Sequence, residues 1–362
     1  METKPKETEY DMFNSDSSVA SEESDRMQRF KDQTVVGKGA SLYYSPNKGE
    51  VVFGKYRVLD MLGKGAYSSI IKVKNIESKQ VHALKVIIDN EELMNEGKKE
   101  YAILKELEDK DPLNMKNIIR VFDELKETKY YGFGLVLMKT SLRSLIDSKS
   151  SVSLKEVRKL AFSMLTALLH CKRSKILHLD IKPDNILVSD KGDYVLTDFS
   201  SSFNISEVYK NTEYMPLFYR PPEIFLGYPP SYNSDIWSLA CTLFELYTKR
   251  FLIKGDSNTE IVENIIKLSG PFSNKYIDKS PNGYQLFSDD YRLIKTNGFK
   301  NSFINQKMIQ RTGVQEKIEE YKDIKISKGL KDFVDLLEKM LHYNHKKRIS
   351  VEDALEHPFF KN

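Results

Sequence analysis

The spacing of apolar positions changes character about 140 residues into the chain. Before that point apolar and polar residues mostly alternate. YRVLDML at 56–62, IIKVKN at 70–75, VHALKVII at 81–88, NIIRVFDEL at 117–125 and YYGFGLVLM at 130–138 each read as a strand. One helix interrupts them over residues 91–108, with Leu93, Ile103, Leu104 and Leu107 at helical spacing. After residue 140 the period lengthens. SLKEVRKLAFSMLTALLHCKRS at 153–174 and DIWSLACTLFELYTKR at 235–250 are strongly helical patterns. Strands followed by helices predict an α+β fold with two lobes, a small β-rich one over 54–139 and a larger helical one over 140–362. The hinge falls near Met138 to Thr140. Residues 270–328 are polar, rich in Asn and Lys and weakly patterned, and read as an insert before the last helices.

The two segments that precede the first lobe differ from it in composition. Residues 1–30 carry eight Asp/Glu and four Lys/Arg, and SDSSVASEESD has few apolar residues to bury, so an acidic disordered tail is expected. Residues 31–53 are rich in Gly, Ser and Tyr and read as a partly ordered extension. The tail's balance of −4 leaves +8 for the rest of a chain whose net charge is +4. Those basic residues are dispersed and form no stripe interleaved with aromatics, so acidic peptide or ATP phosphate is the expected counter-charge and no direct nucleic-acid partner is expected. No apolar run approaches the ~20 residues of a membrane span, and METKPKETEY lacks the apolar core of a signal peptide. The two cysteines, Cys171 and Cys241, sit in apolar helical runs and read as buried thiols of a reducing compartment. They and the six scattered histidines make no zinc pattern.

The chemistry concentrates in residues 178–199, HLDIKPDNILVSDKGDYVLTDF. Asp180, Lys182 and Asn185 fall within six residues, and Asp198 follows a short apolar hairpin. Phosphoryl transfer needs a carboxylate to orient the attacking hydroxyl, oxygen ligands for Mg²⁺ and a cation over the transferring group. These four side chains are of the right types. An Asp-x-x-x-x-Asn run alone is more often a turn, and an Asp-Phe pair is commoner still; the order and the intervening Ile-Leu-Val make the combination specific. The stretch resembles the catalytic and magnesium loops of the protein kinases, with Leu179 where that family usually has Arg and Ser200 where it usually has Gly.

The same resemblance organises the rest. Two glycine pairs compete for the phosphate loop, VVGKGAS at 35–41 and LGKGAYSS at 62–69; only the second lies between strands and 20 residues before Lys85. Leu62, Gly63, Gly65, Ser68 and Ile70 are therefore assigned to the nucleotide, and HALK at 82–85 makes Lys85 the contact for the α/β-phosphates. Ala83, Leu137 and Leu187 would flank the adenine. A lysine in an apolar strand needs a carboxylate. Glu91, Glu92, Glu96 and Glu100 are candidates, Glu100 preferred for its place beside the buried helix face and Glu96 held in reserve. Asn185 and Asp198 would hold Mg²⁺. YRPPE ends the activation segment, where the resemblance implies a pair between Glu223 and Arg348, and Asp235 resembles the family's helix aspartate that braces the catalytic loop. Helix N-termini favour aspartate in any case.

YRPPEIFLGYPPSYNSDIWSLACTLFELYT is similar to the CMGC kinases. More narrowly, EELMNEGKKEYAILKEL, DKDPLN, KRSKILHLDIKPDNILV and TKRFLIKGDSNTEIVENIIKLSGPFSNKYI resemble the pre-mRNA-processing-four kinases of the dual-specificity tyrosine-regulated group. That resemblance implies a monomeric serine/threonine kinase of spliceosomal proteins in the nucleus, using ATP and Mg²⁺. The run YMPLFYR departs from it, one residue shorter between Tyr214 and Arg220 and with Leu217 or its neighbour in place of an Arg. Tyr214 remains a candidate autophosphorylation site with Arg220 the nearest cation, while Leu179 removes a phosphate receptor and weakens control by loop phosphorylation. The alternatives are a CMGC kinase with a signalling role and a catalytically weak pseudokinase scaffold.

Overall fold

Six antiparallel strands form the sheet of the first lobe: β1 (Val51–Val52), β2 (Tyr56–Lys64), β3 (Ser68–Asn75), β4 (Val81–Ile87), β5 (Val121–Lys126) and β6 (Tyr131–Leu135), in the order β1-β2-β3-β4-β6-β5. The computed structural model describes residues 44–361 apart from 66–67, 89, 128, 150, 208–214, 298–299 and 323–326, without the side chains of 296–300. The acidic tail, the VVGKGAS stretch and Tyr214 lie outside the described residues.

Alternation along the strands gives the sheet two apolar faces. Ile71, Val73, Leu84 and Val86 pack on one side with Tyr56, Val58 and Leu125, and that side is closed by Val52, Phe53 and Tyr44. Residues 44–53 thus lie against the sheet and supply its first strand. Ile70, Ala83 and Lys85 share the opposite face, because Ile70 stands opposite Lys85 in the β3–β4 register and Ala83 is two residues away on β4. Helix α1 (Glu91–Asp109) packs on this side. Its first turn is capped by the Asn90 side chain, which accepts from Leu93 N, and carries Glu91 and Glu92, the charges a helix N-terminus favours. Leu93, Gly97, Glu100, Leu104 and Leu107 form its buried stripe. Gly97 sets how close the helix comes: a Cβ there would stand 2.8 Å from Ile87 Cγ1.

The second lobe is built on helices α2 (Leu142–Ser148), α3 (Leu154–Arg173), α4 (Tyr232–Thr248), α5 (Asn258–Ser269) and α6 (Lys328–Met340). A Ser153–Glu156 capping box starts α3. α4 is buried from Ser234 through Thr248, so it is enclosed on all sides and its hydroxyls bond inward, Thr242 to Ser238 O and Thr248 to Phe244 O. Before residue 270 the described residues of this lobe also form the short strands β7 (Thr140–Ser141), β8 (Ile176–Leu177), β9 (Ile186–Val188), β10 (Tyr194–Leu196) and β11 (Phe203–Asn204). They pair as β10-β9-β7 and β11-β8. Cys171 and Cys241 are buried and unpaired. Within 270–328 the chain makes two short helices (Asn274–Asp278 and Gly283–Leu286), a hairpin of β12 (Arg292–Asn297) with β13 (Lys300–Asn305), and a helix over Val314–Tyr321. No helix among the described residues is long and apolar enough to cross a membrane.

Candidate active site

A hairpin closes the site. Asn185 ends a 3₁₀ turn (Pro183–Asn185), β9 follows at once, and the Gly192 turn (φ 78°) returns the chain as β10. Leu196 pairs with Ile186, and Thr197 N donates to Asn185 O at 3.0 Å. Asn185 and Asp198, thirteen residues apart in sequence, are therefore held at the same end of one two-stranded ribbon.

Both loops carry backbone strain where they turn. Leu179 (φ 62°) and Asp198 (φ 60°) occupy the left-handed region, where a residue with a Cβ is disfavoured by ~1–2 kcal/mol. Such conformations persist where surrounding bonds fix them. For Leu179 the fixing group is Asp235, whose carboxylate accepts from His178 N at 2.9 Å and Leu179 N at 2.8 Å. Asp235 therefore does more than complement its helix N-terminus. His178 completes the brace as a neutral ring, since its burial pushes the imidazole pKa down. Nε2–H then donates to Thr197 O (3.1 Å), Nδ1 accepts from Asp180 N (3.2 Å), and the ring meets Phe199 edge-on at 4.7 Å.

The reactive groups converge from four elements. Asp180 Oδ2 accepts from Lys182 Nζ at 2.9 Å and from Asn185 Nδ2 at 2.6 Å. Burial pushes the Asp180 carboxyl up, against the opposing pull of Lys182. Lys85 Nζ lies 2.7 Å from Glu100 Oε1 and 2.9 Å from Asp198 Oδ1. Burial alone would lower the Lys85 ammonium, but the Asp198 and Glu100 carboxylates outweigh it and hold it charged. Asp198 is likewise held well below the ordinary carboxylate range: burial opposes this, and Lys85 and the Ser200 hydroxyl overcome it. Glu100 is thus the partner of Lys85, while Glu96 pairs with Lys99 on the exposed side of α1. Of the residues assigned to the nucleotide, Ala83 is buried and Ile70, Leu137 and Leu187 are half-buried against the same core, whereas Leu62 is half exposed. Gly65 N donates to Ser68 O, tightening the β2–β3 turn, and a Cβ on Gly63 would meet no atom within 4 Å, so the protein's own packing does not demand glycine at 63.

The donor set fits magnesium. Asp198 offers a carboxylate and Asn185, whose amide nitrogen is spent on Asp180 O and Oδ2, offers its amide oxygen. Mg²⁺ is commonly held by one or two such oxygens together with substrate phosphates. Among the described residues no group of three or more His, Cys, Asp or Glu could hold a metal without that help.

Beyond the reacting groups, Glu223 and Arg348 form a fully buried fork, Nη1–Oε1 and Nη2–Oε2 both 2.7 Å. Ser234 Oγ also donates to Glu223, and Arg348 reaches Asn233 O and His342 O. Leu179 is buried with Leu177, Met215 and Ile224, flanked by Phe203, Ile205 and Tyr232. Arg220 donates through Nε and Nη2 to Met215 O and lies over the Phe225 ring. Three further residues carry the same frame and have no local signal in the sequence. Arg143 on α2 bonds Glu245 Oε1 at 2.6 Å and Tyr219 Oη at 3.0 Å, Tyr219 Oη donates to Glu245 Oε2 at 2.6 Å, and Arg143 Nε stands 3.5 Å from Asp184. This network ties the catalytic loop to the end of the activation segment.

Fold and site together define a protein kinase, and residues 56–360 match the Protein kinase domain family, to which the chain belongs. It is 31% identical over 343 residues to the serine/threonine-protein kinase prp4 of Schizosaccharomyces pombe, covering 88% of this chain and 69% of that protein. It is 30% identical over 338 residues to the serine/threonine-protein kinase prpf4B of Dictyostelium discoideum, covering 88% of this chain and 41% of the relative. The dual specificity protein kinase YAK1 of Saccharomyces cerevisiae is 32% identical over 234 residues, covering 63% of this chain and 29% of the relative. These names agree with the expected superfamily.

The Asp180–Lys182 pair predicts a shift in pH dependence. A carboxylate must be ionised to accept a proton, so with Asp180 as the expected acceptor activity should fall as pH drops through its raised pKa. Lys182 holds that pKa down. In Lys182→Ala the acid limb of the kcat/KM–pH profile should therefore move to higher pH, in addition to any loss of rate. An unmoved limb would separate Asp180 from the proton transfer.

Proposed function

We propose that the chain transfers the γ-phosphoryl group of ATP to serine or threonine hydroxyls of pre-mRNA splicing proteins, as a monomer in the nucleus. The observation that carries the reading is the assembled site: Asp180 bonded to Lys182 and Asn185, and Lys85 bonded to both Glu100 and Asp198. The splicing assignment rests on the similarity to prp4 and prpf4B.

Asp180 orients the attacking hydroxyl and receives its proton. Lys182, beside it, offsets charge on the transferring phosphate. Lys85, fixed by Glu100, binds the α/β-phosphates, and Gly63 and Gly65 let backbone N–H groups approach them. Ile70, Ala83, Leu137 and Leu187 wall the adenine, with Leu62 and Ser68 at the phosphate loop. Asp198 and Asn185 would hold Mg²⁺, which would supply positive charge against the negative charge of the phosphates. Glu223, Asp235 and Arg348 hold the loops in place.

Regulation follows from Leu179. An Arg at that position could receive a loop phosphate; here the side chain is 3% exposed and packed against Met215 and Ile224. Apolar packing takes over part of the task of docking the activation segment, and Tyr214 phosphorylation, with Arg220 nearby, modulates rather than creates activity. The scaffold reading loses ground because every proton-handling and metal-binding side chain is present, Asp180 bonded to Lys182 and Asn185, and Asp198 to Lys85.

The test is incubation of the purified protein with Mg-ATP and either isolated spliceosomal proteins or generic basic substrates, followed by phosphosite mapping. Phosphoserine and phosphothreonine concentrated on the spliceosomal set are expected. Equal labelling of both sets would favour the signalling alternative.

A further inference from the structure

Ser200 follows the magnesium loop's Asp-Phe pair, and its hydroxyl donates to Asp198 Oδ1 at 2.8 Å. Lys85 Nζ bonds the same oxygen at 2.9 Å. Among the described residues, no hydrogen bond engages the second oxygen, Oδ2. The strained residue of the loop is Asp198, with φ 60°; Ser200 lies outside the left-handed region, so its backbone does not call for glycine. Two residues on, Ser202 Oγ donates to His178 O at 3.2 Å and Ser202 N to Phe199 O at 3.0 Å, while the Phe199 ring is fully buried against His178. The Phe199–Ser202 turn is therefore anchored to the catalytic loop, which places the Ser200 hydroxyl at a fixed position beside the carboxylate.

We propose that Ser200 is a positioning residue for the metal-binding carboxylate: its hydroxyl holds Oδ1 of Asp198 and thereby presents Oδ2 to magnesium. This rests on the assignment of Asp198 as a metal ligand and of Lys85 to the nucleotide phosphates. The consequence is greatest when nucleotide is bound. Lys85 then shares its ammonium between Asp198 and the phosphates, and Ser200 is the donor left wholly to Asp198. With Gly or Ala at 200 the carboxylate would lose that donor and turn more freely. A hydrogen bond to an ionised group is stronger than a neutral one, and exposure of Ser200 reduces its worth, so an effect of about threefold to tenfold is expected on the metal-dependent part of binding alone.

The measurement is calorimetric ADP affinity of the full chain in excess Mg²⁺ and in chelator, taken as a ratio. Ser200→Ala should lower the ratio by about threefold to tenfold with the chelator affinity unchanged, and Ser200→Thr, which keeps the hydroxyl, should restore it. A ratio unchanged in Ser200→Ala, an equal loss in chelator, or failure of Ser200→Thr to rescue would overturn the role of Ser200. Asp198→Asn in the same assay separates the two levels. If it abolishes the Mg²⁺ increment while Ser200→Ala leaves it whole, only the Ser200 role fails. If the increment survives Asp198→Asn, the metal assignment and the Ser200 role fall together.

Discussion

Replacing Asp180 by Asn should leave the folded protein intact and reduce the rate of phosphoryl transfer by about 10²–10⁴. The substitution is nearly isosteric. The amide oxygen can still accept from Lys182 and Asn185, which now bond Asp180 at 2.9 and 2.6 Å, so the packing of the loop survives. What is lost is the ionised oxygen that orients the hydroxyl and accepts its proton. Binding of Mg-ATP, which we assign to Lys85, Asn185 and Asp198, should change little. The loss should therefore appear in kcat, with thermal melting and nucleotide affinity close to wild type.

The largest effect on stability should come from Arg348→Leu. Arg348 and Glu223 are both wholly buried and bonded twice to each other, and the guanidinium also holds Asn233 O, His342 O and the face of Trp237. Removing one member of such a pair strands the other charge in the interior and typically costs about 3–5 kcal/mol. In a denaturant titration the midpoint should fall accordingly. Glu223→Gln should cost less, because the amide keeps an acceptor for Arg348 and for Ser234 Oγ. If the charge itself is what must be matched, the double variant Glu223→Gln with Arg348→Leu should recover part of the loss. Additive losses would mean that each residue acts through separate contacts.

Much of this arrangement could be read from the residue pattern, for identifiable reasons. Strands and helices with a buried face leave a period, so β2 to β6, α1, α3 and α4 could be placed from it. Even Glu100 was distinguishable from Glu96, because only Glu100 lies beside the apolar stripe of α1. The β12–β13 hairpin, RLIKTN against KNSFIN, escaped this logic. Among the described side chains only one cross-strand pair, Leu293 with Ile304, packs on the core, and the flanking strand positions on that face are polar, so the buried face is too short to leave a period. Contacts between distant residues left no local trace either. The Arg143–Tyr219–Glu245 network joins three elements whose residues look like ordinary charged and aromatic positions one at a time. Gly97 looks like a helix defect in sequence and is explained only by the Ile87 side chain it lies against. Leu179 read as the loss of a phosphate receptor. Its gain, a place in a buried apolar cluster with Met215 and Ile224, could be seen only once the activation segment was folded back.

The most direct test of the account is mass spectrometry of a serine/threonine peptide library after incubation with Mg-ATP and the chain first freed of phosphate by phosphatase. An enzyme in which Asp180 is already bonded to Lys182 and Asn185, and Lys85 to Glu100 and Asp198, should label serine and threonine from the first time points, with Asp180→Asn silent beside it. Nucleotide binding without any phosphopeptide, or labelling that persists unchanged in Asp180→Asn, would contradict it.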